Sequence, residues 1–318
     1  MLQLLYFPVL ALLILLYFRL AVQFKIIDKP NQRSSHSRIT IRGAGIIFPI
    51  AILLQALFSG FQYPLFTSGL LLISIVSFYD DLKPISNKIR LIIHLLAVTL
   101  LFMQAGLLVY SVWIIIPVYI VVIGTINAYN FMDGINGITG AYSLITILSL
   151  YFINETHLAF VINEWLIIVA ISLLVFNFFN FRKKAKCFAG DVGSVSMAFI
   201  IIFFVLLLIL KAQDIKYIGL LLFYGLDSVS TLIFRLIRRE NIFEAHRSHF
   251  YQYLANVKGW PHLRVVTLYL LAQLIVNILI VYSDWSLVTF LIFILVAGFA
   301  FVGLRFMVEG KRYLMGRH

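Results

Sequence analysis

Ser77-Phe-Tyr-Asp80-Asp81-Leu-Lys83-Pro84 closes a long apolar run with two adjacent carboxylates, and Lys88 and Arg90 follow soon after. A carboxylate held near a bilayer centre costs roughly 2.5–3.5 kcal/mol on insertion scales, so acids beside a membrane segment are functional candidates. A single such pair could equally end a helix in water. The chain repeats the pattern, however: Asp133, Asp191, His246 and His249 also fall in short polar interruptions between apolar runs. All of these interruptions fall on one side of the predicted membrane topology.

Apolar residues make up 62% of the chain and charged residues only 12%, with a mean hydropathy of +1.02. An ordinary soluble domain is roughly 45–50% apolar, so the composition excludes one. The apolar runs suit membrane helices, whereas a transmembrane barrel would show strands of about 9–11 alternating residues. The fold class is therefore all-α and polytopic. Cys187 is the only cysteine, which excludes an intramolecular disulfide framework and a cysteine-cluster metal site. No appended soluble domain, repeat or low-complexity segment is visible, so residues 1–318 read as one transmembrane catalytic domain.

Apolar runs predict about eleven helices, near 2–20, 44–60, 64–79, 91–109, 111–126, 139–153, 164–180, 193–210, 217–234, 265–282 and 286–304. The first basic residue is Arg19, so the first run reads as an uncleaved span rather than a signal peptide, which needs positive charge ahead of it. With alternate connections cytoplasmic (21–43, 80–90, 127–138, 181–192, 235–264 and the tail from 305), that side holds 22 of the 25 Lys and Arg residues. The positive-inside rule then puts the N-terminus outside and the C-terminus in the cytoplasm. The net charge of +12 is thus mostly topogenic and no sign of nucleic acid, and it also favours anionic lipids and substrates at that face.

Four stretches carry chemistry. The first loop, Asp28 to Gly45, sets Arg42 beside Gly43, a combination that offers side-chain and backbone donors to phosphate oxygens. In Asn127-Ala-Tyr-Asn130-Phe-Met-Asp133-Gly134-Ile-Asn136-Gly137, a helical approach would place Asn127, Asn130 and Asp133 on one face. Arg182-Lys183-Lys184 and Lys186 precede Phe188-Ala-Gly190-Asp191-Val-Gly193-Ser194, mixing cations for phosphate with a carboxylate suited to Mg²⁺. His246-Arg247-Ser-His249 lacks a third soft ligand and reads as phosphate contact rather than zinc. His94 and His157 receive no role, and Asp227 reads as a buried hydrogen-bonded group orienting the catalytic face.

Together these motifs resemble the polyprenyl-phosphate N-acetylhexosaminyl-1-phosphate transferases, which include phospho-MurNAc-pentapeptide translocase and the GlcNAc-1-phosphate transferases. The resemblance runs from Asp28 to about Arg264. Asp-x-Pro-Asn-x-Arg-x-x-His matches Asp28 to His36, the Asp pair with its later Lys matches Asp80, Asp81 and Lys88, and Asn-x-x-Asn-x-x-Asp-Gly-Ile matches Asn127 to Ile135. Phe-x-Gly-Asp-x-Gly-Ser matches Phe188 to Ser194. The resemblance implies Mg²⁺, or Mn²⁺ in its place, held by Asp191 with Asp80 and Asp81. Those two aspartates would also serve the lipid phosphate. Arg42, Lys88, Asn127, Asn130 and Asp133 would hold the nucleotide-sugar, Phe188 would stack on uracil, and His246, Arg247 and His249 would meet the donor's phosphates. Undecaprenyl phosphate and a UDP-N-acetylhexosamine are the implied substrates. A sugar-diphosphate lipid and UMP are the products, formed at the cytoplasmic face of a bacterial inner membrane. A homodimer is compatible with this, though no segment specifies one.

The chain departs from the family pattern at Asn136, where a second Asp is usual, and in Arg182-Lys183-Lys184, which replaces a Pro-bearing segment. His246-Arg-Ser-His249 also differs from the three consecutive histidines of the peptidoglycan enzyme. Lys258-Gly-Trp-Pro261 does resemble the peptidoglycan branch, which stays the alternative, but the reading favours the initiators of surface polysaccharides such as O-antigen or capsule, with UDP-GlcNAc, UDP-FucNAc or UDP-QuiNAc as donor. A transporter or flippase would instead carry acids at mid-membrane depth.

Overall fold

The computed structural model describes residues 3–28, 39–241 and 246–316. The helices are α1 (Gln3–Gln23), α2 (Ile47–Phe58), α3 (Pro64–Leu82), α4 (Asn87–Ala105), α5 (Val112–Met132), α6 (Ile138–Thr156) and α7 (Asn163–Asn180), followed by α8 (Gly190–Ala212), α9 (Leu222–Ile237), α10 (Phe250–Gln252), α11 (His262–Tyr282), α12 (Leu287–Glu309) and α13 (Lys311–Met315). All eleven expected segments are helical. Nine helices among the described residues are long and apolar enough to cross a membrane. The other two are α2, which is short, and α6, which carries Thr139, Ser143, Thr146, Ser149 and Asn154 along its length. The protein is an all-α polytopic membrane protein.

α8 is the inner axis. Its sequence is apolar around its whole circumference, the signature of a helix surrounded by others, and 83% of its span is buried. It packs against α2, α3, α5 and α6. α12 is equally apolar but only 11% buried, which leaves its outer surface for lipid. Burial therefore separates two helices that hydropathy alone leaves alike.

Several helix ends run past the apolar stretches that predict them. α3 continues through Asp80 and Asp81, α5 through Asn127 and Asn130, and α8 begins at Gly190, so Asp191 lies in its first turn. The expected polar loops 80–90, 127–138 and 181–192 are thus partly helical. Helical hydrogen bonds satisfy the backbone whether the side chains face lipid or water, so a change in hydropathy alone does not end a helix.

The start of α8 is fastened to the first loop backbone to backbone. β1 (Ile27–Asp28) pairs antiparallel with β2 (Thr40–Ile41), and Ile41 bridges to Cys187. Phe188 N–H donates to the Ile41 carbonyl at 2.8 Å, and Ala44 and Gly45 N–H donate to the carbonyls of Phe188 and Ala189, each at 3.0 Å. Gly45 and Gly193 make this approach feasible: a Cβ on Gly45 would lie 2.2 Å from the Gly193 Cα. The seam brings Arg42 to the N-terminus of α8.

Candidate active site

Asp80 and Asp81 occupy the last turn of α3, where the helix dipole disfavours negative charge. Neighbouring elements compensate. Asp81 accepts the N–H groups of Asp191 and Val192 at 2.9 and 3.1 Å, so a carboxylate from α3 caps the N-terminus of α8. Its Oδ1 also takes Arg42 Nε at 2.7 Å, and the side chain is fully buried. Gly190, at φ 72°, lets the chain turn in so close that a Cβ there would lie 2.5 Å from Asp81 Oδ2.

Asp191 is the hub. Its Oδ1 faces Arg42 at 3.5 Å, and its Oδ2 faces both Arg90 at 3.3 Å and the Asn130 amide at 3.4 Å. Ser194 Oγ donates to Asn130 Oδ1 at 2.8 Å, which fixes that amide's orientation. The other guanidinium nitrogen of Arg90 meets Asp80 Oδ2 at 3.1 Å, while Asp80 Oδ1 accepts the Ile85 N–H at 2.6 Å. Three carboxylates therefore converge under two arginines.

Among the expected cations, Arg42 reaches the carboxylates, whereas Lys88 is exposed in the first turn of α4. Arg90 rather than Lys88 reaches the carboxylates, and helical phase signals it. His94, Ala97, Val98 and Leu101 are the buried stripe of α4, and Arg90 extends that stripe one turn toward the helix start, whereas Lys88 faces away. Asn127, expected on the same face as Asn130, turns its amide back onto the Ile123 carbonyl of its own helix at 3.0 Å.

Asp133 follows the end of α5 and keeps part of its surface open. The protein around it raises its pKa to about 7, chiefly through burial and secondarily through the charges of Asp191 and Asp81; Thr139 and Arg42 oppose the shift. Two asparagines hold the turn after it. Asn180 accepts the Gly137 N–H at 2.8 Å and donates to the Cys187 carbonyl at 2.7 Å. Asn136 donates through its side-chain amide to the carbonyls of Arg182 and Lys183 at 3.0 and 3.3 Å. At Asn136 the chain thus uses a donor, which a carboxylate could not supply. Phe188 is half-buried beside the same loop.

The His246–His249 stretch closes the other side of α5's end. His246 packs its ring 5.9 Å from Phe131, and Tyr251 Oη donates to the Phe131 carbonyl at 2.9 Å. His246 and His249 stack at 5.0 Å. Burial first, and then His249, lower the His246 pKa to about 4, with Arg235 and Arg238 adding and Glu240 opposing. Asp227, fully buried on α9, organises the stretch by accepting from His249 Nδ1, the N–H groups of Phe250 and Tyr251, Thr231 Oγ1 and Tyr269 Oη. Two groups here lack protein partners although buried: His249 Nε2, and the Nε and Nη2 of Arg247. Residues 29–36 of the first-loop motif lie outside the described residues.

A family model described as "Glycosyl transferase family 4" matches residues 63–209, which include Asp80, Asp81, Arg90, Asn130, Asp133 and Asp191. A Bacillus subtilis protein named "Probable undecaprenyl-phosphate N-acetylglucosaminyl 1-phosphate transferase" is 26% identical over 87% of this chain and 84% of its own length. An "Undecaprenyl-phosphate alpha-N-acetylglucosaminyl 1-phosphate transferase" of Thermotoga maritima is 28% identical over 77% of this chain and 79% of its own. A "Phospho-N-acetylmuramoyl-pentapeptide-transferase" of Halalkalibacterium halodurans is 25% identical over 76% of this chain and 82% of its own. The chain is thus similar to glycosyl transferase family 4 across the helices that carry its acidic cluster, and to these transferases over most of its length.

Proposed function

We propose that this enzyme transfers an N-acetylhexosamine 1-phosphate from a UDP-sugar to undecaprenyl phosphate. The lipid phosphate oxygen attacks the sugar-proximal phosphorus. A new P–O bond forms, the bridging P–O bond breaks, and UMP leaves with the electron pair. The observation that carries this reading is the pairing of an acidic cluster with unpartnered nitrogens of an arginine and a histidine. Asp80, Asp81 and Asp191 lie on one side of α5's end, and Arg247 and His249 on the other. Such a site suits an anion that arrives with a metal. The lipid phosphate, with a second pKa near 6, is largely dianionic at neutral pH and needs no protein base.

The donor set fits Mg²⁺. Magnesium is usually held by one or two carboxylates together with substrate phosphates and waters. Asp80 and Asp191 would hold it, their charges close enough to perturb one another. Among the described residues no three acid, histidine or cysteine side chains form a ready-made metal site, so phosphate oxygens would complete the shell. When bound, Mg²⁺ offsets the repulsion between the two anionic substrates and stabilises the leaving phosphate. The sequence expectation places Asp81 with the metal as well; because it accepts two backbone N–H groups at the start of α8, it would also fix Asp191 beside that metal.

The N-acetylglucosaminyl names of two relatives favour UDP-GlcNAc as donor. The basic residues flanking the site favour the cytoplasmic face, and with it the initiating step of surface-polysaccharide synthesis. Purified protein with undecaprenyl phosphate, Mg²⁺ and a panel of UDP-N-acetylhexosamines should release UMP and form a chelator-sensitive sugar-diphosphate lipid. Asp191→Asn, nearly isosteric, should abolish turnover while leaving the protein folded. Undiminished Mg²⁺-dependent turnover in that variant would overturn the assignment.

A further inference from the structure

We propose that Arg90 and the divalent cation are alternative occupants of the gap between Asp80 and Asp191, and that Arg90 passes from these carboxylates to a donor phosphate oxygen as the cation enters. This inference rests on the metal-dependent transfer proposed above.

Every oxygen of Asp80 and Asp191 already has a donor. Asp80 Oδ1 takes the Ile85 N–H and its Oδ2 takes Arg90. Asp191 Oδ1 takes Arg42, and its Oδ2 takes Arg90 and Asn130. A cation placed between the two acids would compete most directly with the donor that already spans them, and Arg90 is the bond-maker common to both. Its contacts of 3.1 and 3.3 Å exceed the 2.7–2.9 Å usual for charge-assisted pairs, whereas Arg42 holds Asp81 at 2.7 Å. Arg90 also lies in the first turn of α4 with its side chain 26% exposed, so it has somewhere to go.

Charge bookkeeping points the same way. Three aspartates and two arginines leave the cluster with one negative charge. A divalent cation alone would invert it to one positive charge in a largely buried site. A cation arriving with a donor diphosphate of about two negative charges returns the cluster to its resting value, with Arg90 free to pair with the added phosphate. The cation should accordingly bind weakly to the free enzyme and tightly in the presence of donor.

The test is Mn²⁺ binding to the detergent-purified full chain without nucleotide, read by electron paramagnetic resonance. Removing one charge adjacent to the cation should tighten Mn²⁺ binding about tenfold or more in Arg90→Gln. Arg90→Lys, which keeps the charge but lacks the planar fork that places one nitrogen on each carboxylate, should lie between Arg90→Gln and wild type. The gain should vanish in Arg90→Gln/Asp191→Asn. UDP-GlcNAc should tighten Mn²⁺ binding in wild type by a larger factor than in Arg90→Gln. Should Arg90→Gln fail to fold, the Lys variant against wild type carries the comparison. Mn²⁺ affinity equal to or weaker than wild type in the folded variants would overturn the proposal. Competition without UMP release from any donor would sink the proposed function alone, and UMP release without competition would sink this inference alone.

Discussion

Replacing Asp81 by Asn should separate a structural carboxylate from a reactive one. Asp81 accepts two backbone N–H groups of α8 and the Arg42 guanidinium, and its side chain is fully buried. Hydrogen bonds to a charged group contribute about 1.5–3 kcal/mol each, and loss of a helix N-cap costs about 1 kcal/mol. Asn keeps one acceptor oxygen, so one of the two N–H groups would face an amide NH₂. The Arg42 pair counts for less, because that side chain is 35% exposed and solvent screens it. Relief of repulsion with Asp191 works in the opposite direction. The expected net destabilisation is about 1–3 kcal/mol, or several °C in Tm. Asp191→Asn should differ, because the Asp191 carboxylate meets only side chains, and two of its three partners are partly exposed arginines. Its Tm should change little while turnover disappears. Thermal melts of both variants in one detergent, beside UMP release, make the comparison. If Asp81→Asn melted like wild type and Asp191→Asn were the unstable one, the cap assignment would be wrong.

Asn136→Asp should set a carboxylate against the Arg182 and Lys183 carbonyls, and limited trypsin digestion should then cut at Lys183 and Lys184 at least several-fold faster than in wild type. An unchanged cleavage rate would show that the amide does not hold this loop. Gly193→Ala should lower the yield of folded protein sharply, since the added Cβ would sit 2.8 Å from the Gly45 Cα at a backbone-to-backbone seam; normal yield and Tm would contradict that packing. His246 titrates near 4 in the folded protein against an ordinary 6.5, so its neutral form is favoured by folding. The associated stability is present above about pH 6.5 and is lost as pH falls toward about 4. His246→Gln should flatten that part of the Tm profile; an identical profile would refute the contribution.

The eleven helices were legible because each must bury an apolar stripe or face lipid, and composition alone reports that. Less legible was where they stop. Asn127 and Asn130 read as loop residues because hydropathy falls at Ile126, yet α5 continues to Met132. The acidic cluster was legible as a set, since Asp80, Asp81, Asp133 and Asp191 all lie at one end of their helices. Its cations were less so. A linear motif selects Lys88, whereas the phase of α4 brings Arg90 inward, and only the buried stripe running from His94 reveals this. Asn136 reads as a lost carboxylate, but its amide serves as a donor to two carbonyls that are distant in sequence. Asn180 ties Gly137 to Cys187, a pairing that nothing in the spacing of these residues announces. Partners like these arise from tertiary packing, which spacing along the chain does not encode.

The acids divide into two kinds, and the division suggests how the site is built. The side chains of Asp81 and Asp227 are fully buried, and each ends on backbone N–H groups of a different element: α8 for the first, the turn at Phe250 and Tyr251 for the second. Neither has an oxygen free of protein donors, and each fixes the residue that precedes or begins the element it caps. Asp81 fixes Asp191, and Asp227 fixes His249 through both its ring and the following amides. Asp191 is the converse, held by side chains that can exchange it for another charge. A transferase that must admit two anions and release one needs such a contrast: exchangeable charges at the reacting phosphate, anchored by charges that never leave their N–H groups. The low cost of reorganisation at Asp191 would come from the rigidity of Asp81 behind it. The unpartnered Nε2 of His249 keeps its direction because Asp227 holds the opposite edge of the ring.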